Sequence, residues 1–354
     1  MKSIQLYGIG NAIIDLQYTV SNSELEELGL AKGSMQLMSI NDQLQLIAKL
    51  GDRDVNQASG GSAANTIITF SKLGGTSAFC SLLGNDHFGY FYKDEMRDLQ
   101  IKINDESHES LPSGTCAILI TEDAERTMNT YLGANEDFDP SHLDEEIIKE
   151  SEWLYIEGYK FSSKKGSESI FRAIEVAKDS GTKIAITCSD KFIIDFFGED
   201  LKKALESADL IFVNLTEALA LTGTNPTEHL SFYNNRENIQ LNTEQEKELE
   251  NFFTLLHKKC HEFSPAVALT LGEKGSIVSY GGETARIMPT EILAIDDTGA
   301  GDAFAGGFMW GVCSGLDAKK SGEIASLLSS HVVSKIGPRI EIDPIHFLKS
   351  NNLI

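Results

Sequence analysis

Hydrophobic and polar positions alternate with two different periods along this chain. From Trp153 onward the pattern is regular. Short apolar runs at Trp153–Ile156, Lys183–Thr187, Leu210–Val213, Val267–Leu271 and Ser276–Ser279 predict strands. Between them, 168–178, 191–206, 215–221 and 243–259 carry helical spacing, as in Leu249, Phe252, Phe253 and Leu256 after the Thr243–Glu246 capping box. Strands that alternate with helices predict a mostly parallel sheet covered on both faces, with ligands at the carboxyl ends of its strands. The first half is less regular. Gln5–Gly8 and Ser77–Leu83 predict strands, and Ser23–Leu28, Asn41–Leu50 and Phe88–Leu99 predict helices. Thr115–Thr121 and Thr127–Leu132 predict a hairpin across a polar turn ending in Arg126. With Ile13–Val20 and Met35–Met38 this hairpin predicts a small separate sheet. Residues 222–241 break the pattern and predict an exposed insertion.

Composition narrows the classes. The chain has 354 residues, 41% of them hydrophobic, enough for a large core. A net charge of −23 disfavours nucleic acid and anionic membranes as partners. No apolar run approaches the roughly 20 residues that span a bilayer. The five cysteines are scattered without a CxxC, which predicts small core residues rather than zinc ligands or disulfides, and a reducing, cytoplasmic setting.

Candidate chemistry concentrates in glycine-rich turns. Gly8–Ile13 suggests a dinucleotide loop, but its third glycine position holds Ile13 and the apolar run continues as a strand. What remains is Asn11 and Asp15, two polar groups in an apolar run. A carboxylate accepts two hydroxyls at once, which suits a vicinal diol. Gly60-Gly61-Ser62-Ala63-Ala64-Asn65 opens a helix of small residues that lets backbone approach a ligand. Asn214-Leu215-Thr216-Glu217 pairs an amide and a carboxylate three residues apart. Two readings stand for them: a site for hydrated magnesium, or a helix capping box. Thr270-Leu271-Gly272-Glu273-Lys274-Gly275 offers a hydroxyl and two glycines to a phosphate tail, or makes a plain hairpin turn. Arg126 is either a solvated charge or a cation for an anionic ligand.

The stretch Asp296-Asp297-Thr298-Gly299-Ala300-Gly301-Asp302 is the centre of this pattern. A glycine turn that opens an apolar helix makes an anion hole from free N–H groups. An acid beside it, at Asp302, suits proton removal from a hydroxyl that attacks a phosphoryl group.

Taken in order, these stretches resemble the ribokinase-like (PfkB) family of carbohydrate and nucleoside kinases, from residue 4 to about 340. Asp296–Asp302 is similar to the family's D-T-x-G-A-G-D, with Asp297 where Thr is usual. Gly60–Asn65 is similar to G-G-x-x-x-N, Asn214–Glu217 to N-x-x-E, and Thr270–Gly275 to T-x-G-x-x-G. Neither a Walker A sequence nor a protein-kinase H-R-D loop is present. The resemblance implies a single α/β domain of the three-layer α/β/α ribokinase-like fold, with a mostly parallel central sheet. It implies a β-sheet lid drawn from about 13–40 and 113–133, free or clasping a second copy. It also implies ATP-dependent phosphorylation of a hydroxymethyl group, with Asp302 as base and the amides of Gly299, Ala300, Gly301 and Asp302 as anion hole. Asn11, Asp15, Gly60, Gly61 and Asn65 would hold the acceptor. Asn214, Thr270, Gly272, Gly275 and Arg126 would hold ATP. Glu217 and Asn214 would hold Mg2+ through water. Some members require K+, a point that Asp297 leaves open. Gly8–Asp15 and Lys32–Met35 look most like adenosine-kinase-type members, which favours a nucleoside over ribose or fructose. A non-catalytic nucleotide or sugar sensor is the alternative on the same scaffold.

Overall fold

The computed structural model describes residues 2–123, 125–232 and 241–354. Among these residues nine strands form the main sheet. Its order is Glu283–Ile287, Ser276–Tyr280, Val267–Thr270, Leu210–Asn214, Lys183–Thr187, Ser151–Glu157, Ile4–Ile9, Ser77–Cys80 and Lys102–Ile103. The pairs from Val267–Thr270 to Lys102–Ile103 are parallel; the first two strands add antiparallel at one edge. Parallel strands need cover on both faces, and here the central ones are buried almost throughout. The chain leaves Ile4–Ile9 in one direction and returns beside it at Ser151–Glu157, so the strand order reverses there. The carboxyl ends of these two strands, at Asn11 and Glu157, therefore flank a crevice.

A second sheet stands over that crevice. Its order is Met35–Leu37, Arg126–Tyr131, Gly114–Ile120, Ile13–Thr19 and Asn56–Gly60. The last strand was not expected: Asn56-Gln57-Ala58-Ser59-Gly60 is polar, and only its antiparallel pairing with Ile13–Gln17 makes it a strand. Side chains alternate across this sheet. Cys116 and Ile118 face the crevice, while Ala117 and Leu119 join the core under helix Ile40–Leu50. Gln43 fixes that helix to the outer face by donating to the carbonyls of Thr115 and Asn129, at 2.9 and 3.0 Å.

Two other expectations change. The long helix Thr243–Cys260 is capped one residue earlier than its sequence suggests, by Asn242 with Gln245 as reciprocal partner. The stretch 222–241, read as an exposed insertion, contains buried Leu230 and Phe232, which pack into the main core; residues 233–240 lie outside the described residues.

Candidate active site

Two helices that open on glycine meet at the crevice. Gly61 precedes Ser62–Lys72 with φ 106°, and Gly299 precedes Ala300–Cys313 with φ 76°. Both values favour glycine, and neither position carries a side-chain cap. At Gly61 a Cβ would lie 2.1 Å from the carbonyl oxygen of Asn11. The helices touch through Gly306, where a Cβ would stand 2.6 Å from the Thr66 carbonyl oxygen. This close approach lets the first turns exchange side chains. Ser62 Oγ donates to Asp302 Oδ1 at 2.7 Å, and Asn65 Nδ2 donates to Asp302 Oδ2 at 3.0 Å.

Asp302 stands where two cavities meet. One, of about 330 Å³, is lined by Asn11, Asp15 and Asp302 at its polar end. Ile13, Met35, Leu37, Ile118, Met128 and Leu132 form its apolar wall. The other, of about 210 Å³, is lined by Asn214, Glu217, Thr270, Gly299, Gly301 and Asp302. Ser62, Ser189, Gly299 and Asp302 belong to both. A carboxylate at the junction of two pockets can contact both reacting groups of a transfer. Burial pushes the Asp302 carboxyl up to about 6, against the lowering effect of the Ser62 and Asn65 hydrogen bonds. Burial likewise raises Asp15 to about 6, held down in part by Arg126 and Arg339. Among the described residues no group donates to the Asp15 carboxylate, so its acceptor capacity faces the cavity.

The expected residues fare differently. Asn11 lines the larger cavity; its N–H donates to Glu157 Oε1 at 3.2 Å, and its Oδ1 accepts from Lys160 Nζ at 3.2 Å. Its amide nitrogen is left for a ligand. Gly61 lines the same cavity. Gly60 does not: its carbonyl accepts from Tyr92, and the absence of a Cβ makes room for the Asp15 carboxylate. Asn65 is engaged on both sides, by Asp302 and by Arg339 Nε at 3.2 Å. In the anion loop, the Ala300 N–H is taken by the Asp297 carbonyl at 3.2 Å, whereas those of Gly301 and Asp302 have no acceptor among the described residues. Thr270 reaches the smaller cavity. Gly272 and Gly275 shape the hairpin turn instead, with Leu271 N–H bonded to Gly275 O at 2.8 Å.

Arg126 is not a surface charge. Its side chain is 7% exposed and lies 3.0 Å from Asp296, which is itself buried. Asn214 and Glu217 do form a capping box, yet both still line the smaller cavity. The Glu217 carboxylate accepts the Asn214 N–H at 3.0 Å and Nδ2 at 2.7 Å. Burial raises its carboxyl to about 7. A carboxylate offers about four acceptor sites, so two bonds leave capacity toward the cavity. The donor set, an uncompensated buried carboxylate among oxygens, fits a hydrated divalent cation.

Several residues were missed. Glu157 is buried at a strand end and accepts the N–H groups of Asn11 and Ala63, so it fixes the crevice floor. An acid directly after the apolar run Trp153–Ile156 was a signal for it. Burial raises Glu157 and lowers Lys160. Ser189, in the left-handed region at φ 66°, holds the Gly158 N–H at 2.9 Å. Ser62 is the nearest oversight, because it lies inside the stretch singled out. Cys116 is buried in an apolar cluster with Ile13 and Ile118, as expected of a core residue, and also lines the cavity wall.

The chain is similar to known proteins along most of its length. The family model for pfkB carbohydrate kinases matches residues 38–344. The chain is 26% identical over 363 residues to an adenosine kinase of Saccharomyces cerevisiae, covering 96% of this chain and 98% of that one. The structure of an adenosine kinase from Sinorhizobium meliloti superposes with a TM-score of 0.83 at 29% identity, over 99% of this chain and 100% of the other. A probable sugar kinase from Rhizobium etli does so with a TM-score of 0.84 at 26% identity, over the whole of both chains. With its ribokinase-like architecture and two cavities joined at a carboxylate, the chain belongs to the pfkB carbohydrate kinase family and is an ATP-dependent kinase that phosphorylates a hydroxyl group.

Proposed function

We propose that the acceptor is a nucleoside of the adenosine type, phosphorylated on its hydroxymethyl group, and that Asp302 is the base. The single observation behind this reading is the position of Asp302, shared between a cavity with an apolar wall and one lined by a glycine turn and a carboxylate. The larger cavity takes the acceptor. Asp15 accepts two sugar hydroxyls, the Asn11 amide donates, and Ile13, Met35, Leu37, Ile118, Met128 and Leu132 cover an apolar base. The smaller cavity takes the triphosphate, with Thr270 at its wall. The acceptor hydroxyl gives its proton to the Asp302 carboxylate as its oxygen bonds to the γ-phosphorus. The bond from that phosphorus to the bridging oxygen breaks, and ADP leaves. The N–H groups of Gly301 and Asp302 face the charge on the transferring group.

Magnesium, when bound, neutralises phosphate charge. Glu217 and Asn214 are the residues that would hold it, through water. The second sheet acts as a lid, built on 13–40, 56–60 and 113–133, that excludes water from the reaction. Arg126, expected to reach the phosphates, is instead buried against Asp296 and lines neither cavity among the described residues.

The test is ADP release with adenosine, inosine, ribose and fructose, by the parent and by Asp302→Asn, each with and without K+. The expected result is a kcat/KM for adenosine at least tenfold above that for the free sugars, and no transfer by Asp302→Asn. A preference for ribose or fructose would remove the nucleoside assignment. Full activity in Asp302→Asn would remove the base.

A further inference from the structure

The segment Gly337-Pro338-Arg339 lies 35 or more positions from Asp302 in sequence, yet all three of its residues touch the transfer machinery. The Gly337 N–H donates to Asp296 Oδ2 at 2.7 Å. Pro338 packs on Gly299 so tightly that a Cβ there would lie 2.5 Å from the Pro338 Cα. Arg339 turns inward, with a side chain only 15% exposed. Its guanidinium forks onto three elements: Nε to Asn65 Oδ1 at 3.2 Å, Nη1 to Glu95 Oε1 at 2.5 Å, and Nη2 to Ser59 Oγ at 2.9 Å.

The contact with Asn65 matters because an amide has two chemically opposite ends. With its oxygen held by Arg339, only the nitrogen can face Asp302, and it does so at 3.0 Å. An amide free to turn would present its oxygen to the carboxylate as readily, which repels the ionised form. We infer that Arg339 is a positioning residue for phosphoryl transfer: by fixing the Asn65 amide, it keeps the Asp302 carboxylate aligned and ionised. Asn65 then serves the base as well as the acceptor pocket. The inference rests on the proposed assignment of Asp302 as base.

The hydrogen bonds from Ser62 and Asn65 lower the Asp302 carboxyl from the level burial would set. The titratable groups coupled to Asp302 from neighbouring elements are Asp15, Glu157, Tyr155 and Tyr159, and each holds its proton more tightly because of the Asp302 charge. Arg126 and Arg339 oppose this at Asp15. Loss of Arg339 frees the Asn65 amide whose hydrogen bond lowers the Asp302 carboxyl, which raises the pH at which the base ionises.

The experiment measures kcat and KM from pH 5 to 9 for the parent, Arg339→Met, Arg339→Lys and Asp302→Asn, using adenosine and Mg-ATP. Rates are expressed per nucleotide-binding site titrated by calorimetry, so unfolded protein does not count. Arg339→Met is expected to lose kcat about tenfold with both KM values within twofold of the parent. The acid limb of its kcat profile is expected to move up by half a pH unit or more. Arg339→Lys, which restores a donor to Asn65, recovers part of both effects. If Arg339→Met does not fold, Glu95→Gln loosens one anchor and is expected to give a smaller shift of the same sign. An unmoved acid limb, or a rise in KM at constant kcat, overturns the relay. Activity in Asp302→Asn overturns the base assignment instead, so the two failures are separable.

Discussion

Arg126 and Asp296 form a buried ion pair, 3.0 Å apart, between the hairpin of the second sheet and the loop that leads into the Asp302 helix. Asp296 also accepts the Thr298 N–H at 3.0 Å and the Gly337 N–H at 2.7 Å. The pair thus ties the hairpin tip to a loop whose conformation is already over-determined. Removing the cation leaves a carboxylate buried without its counter-charge. Arg126→Met is therefore expected to destabilise the protein by about 3 kcal/mol. Urea unfolding measures this, and acceptor-independent ADP release is expected to rise as the hairpin loosens. Unchanged stability would mean that the two backbone N–H groups suffice for Asp296.

The pH dependence follows from the raised carboxyls. Asp302 titrates at about 6 in the folded chain, against an ordinary 3.8. A raised acid holds its proton more tightly when folded, so its stabilising contribution is complete below about pH 4 and lost as pH rises through about 6. Asp302→Asn has no such loss. Its melting temperature is expected to gain on the parent's across pH 4 to 6 and to keep a constant lead above. Partial exposure of Asp302 keeps that lead near 1 kcal/mol. Activity runs the other way, rising through about pH 6 as the base ionises. A lead that is constant from pH 4 upward would contradict the burial argument.

The two glycines of the anion loop separate fold from function. Gly299 has φ 76° and would place a Cβ 2.5 Å from Pro338, while Gly301 is helical with no atom within 4 Å of its Cβ position. Gly299→Ala is expected to destabilise by about 2 kcal/mol through strain and to lower kcat by a factor of order 100. Gly301→Ala is expected to stabilise by roughly 0.5–1 kcal/mol, as alanine does in a helix. Its methyl group stands at the smaller cavity, so the KM for ATP rises about tenfold. Thermal melts and initial-rate kinetics on both variants check the contrast, which fails if Gly301→Ala keeps the parent KM.

These glycines also mark what could be read from the sequence. A turn followed by an apolar helix is encoded within a few residues, so the helix starts at Gly61 and Gly299 are legible locally, whereas a role for Asp302 rests on the resemblance of the ordered motifs. The alternating βα run after Trp153 was equally local. Arg339 was not legible, because its three partners lie 244 to 280 positions away and no local period links them. The strand Asn56–Gly60 was hidden for a related reason: its residues are polar, and its identity comes from pairing with Ile13–Gln17. Arg126 was ambiguous until Asp296 stood beside it. Leu230 and Phe232 were masked by the polar residues around them.

The Asn214–Glu217 pair can be tested so that its two readings part. A capping box needs an acceptor at the third helical position, and glutamine supplies one as well as glutamate does. Cation binding through water needs the charge. Glu217→Gln is therefore expected to leave thermal stability unchanged or raise it, because a carboxylate whose proton is held up to about pH 7 by burial is removed. The same change is expected to raise the KM for Mg-ATP tenfold or more. The parent's affinity for Mg-ATP should strengthen as pH rises through about 7, where Glu217 ionises, and the variant's should not follow that slope. Titration of Mg2+ at fixed ATP, from pH 6 to 8.5, measures both. Equal Mg-ATP kinetics in parent and variant would reduce the pair to a helix cap. A fall in stability without a change in KM would do the same and would show that the charge, not the acceptor alone, holds the helix start.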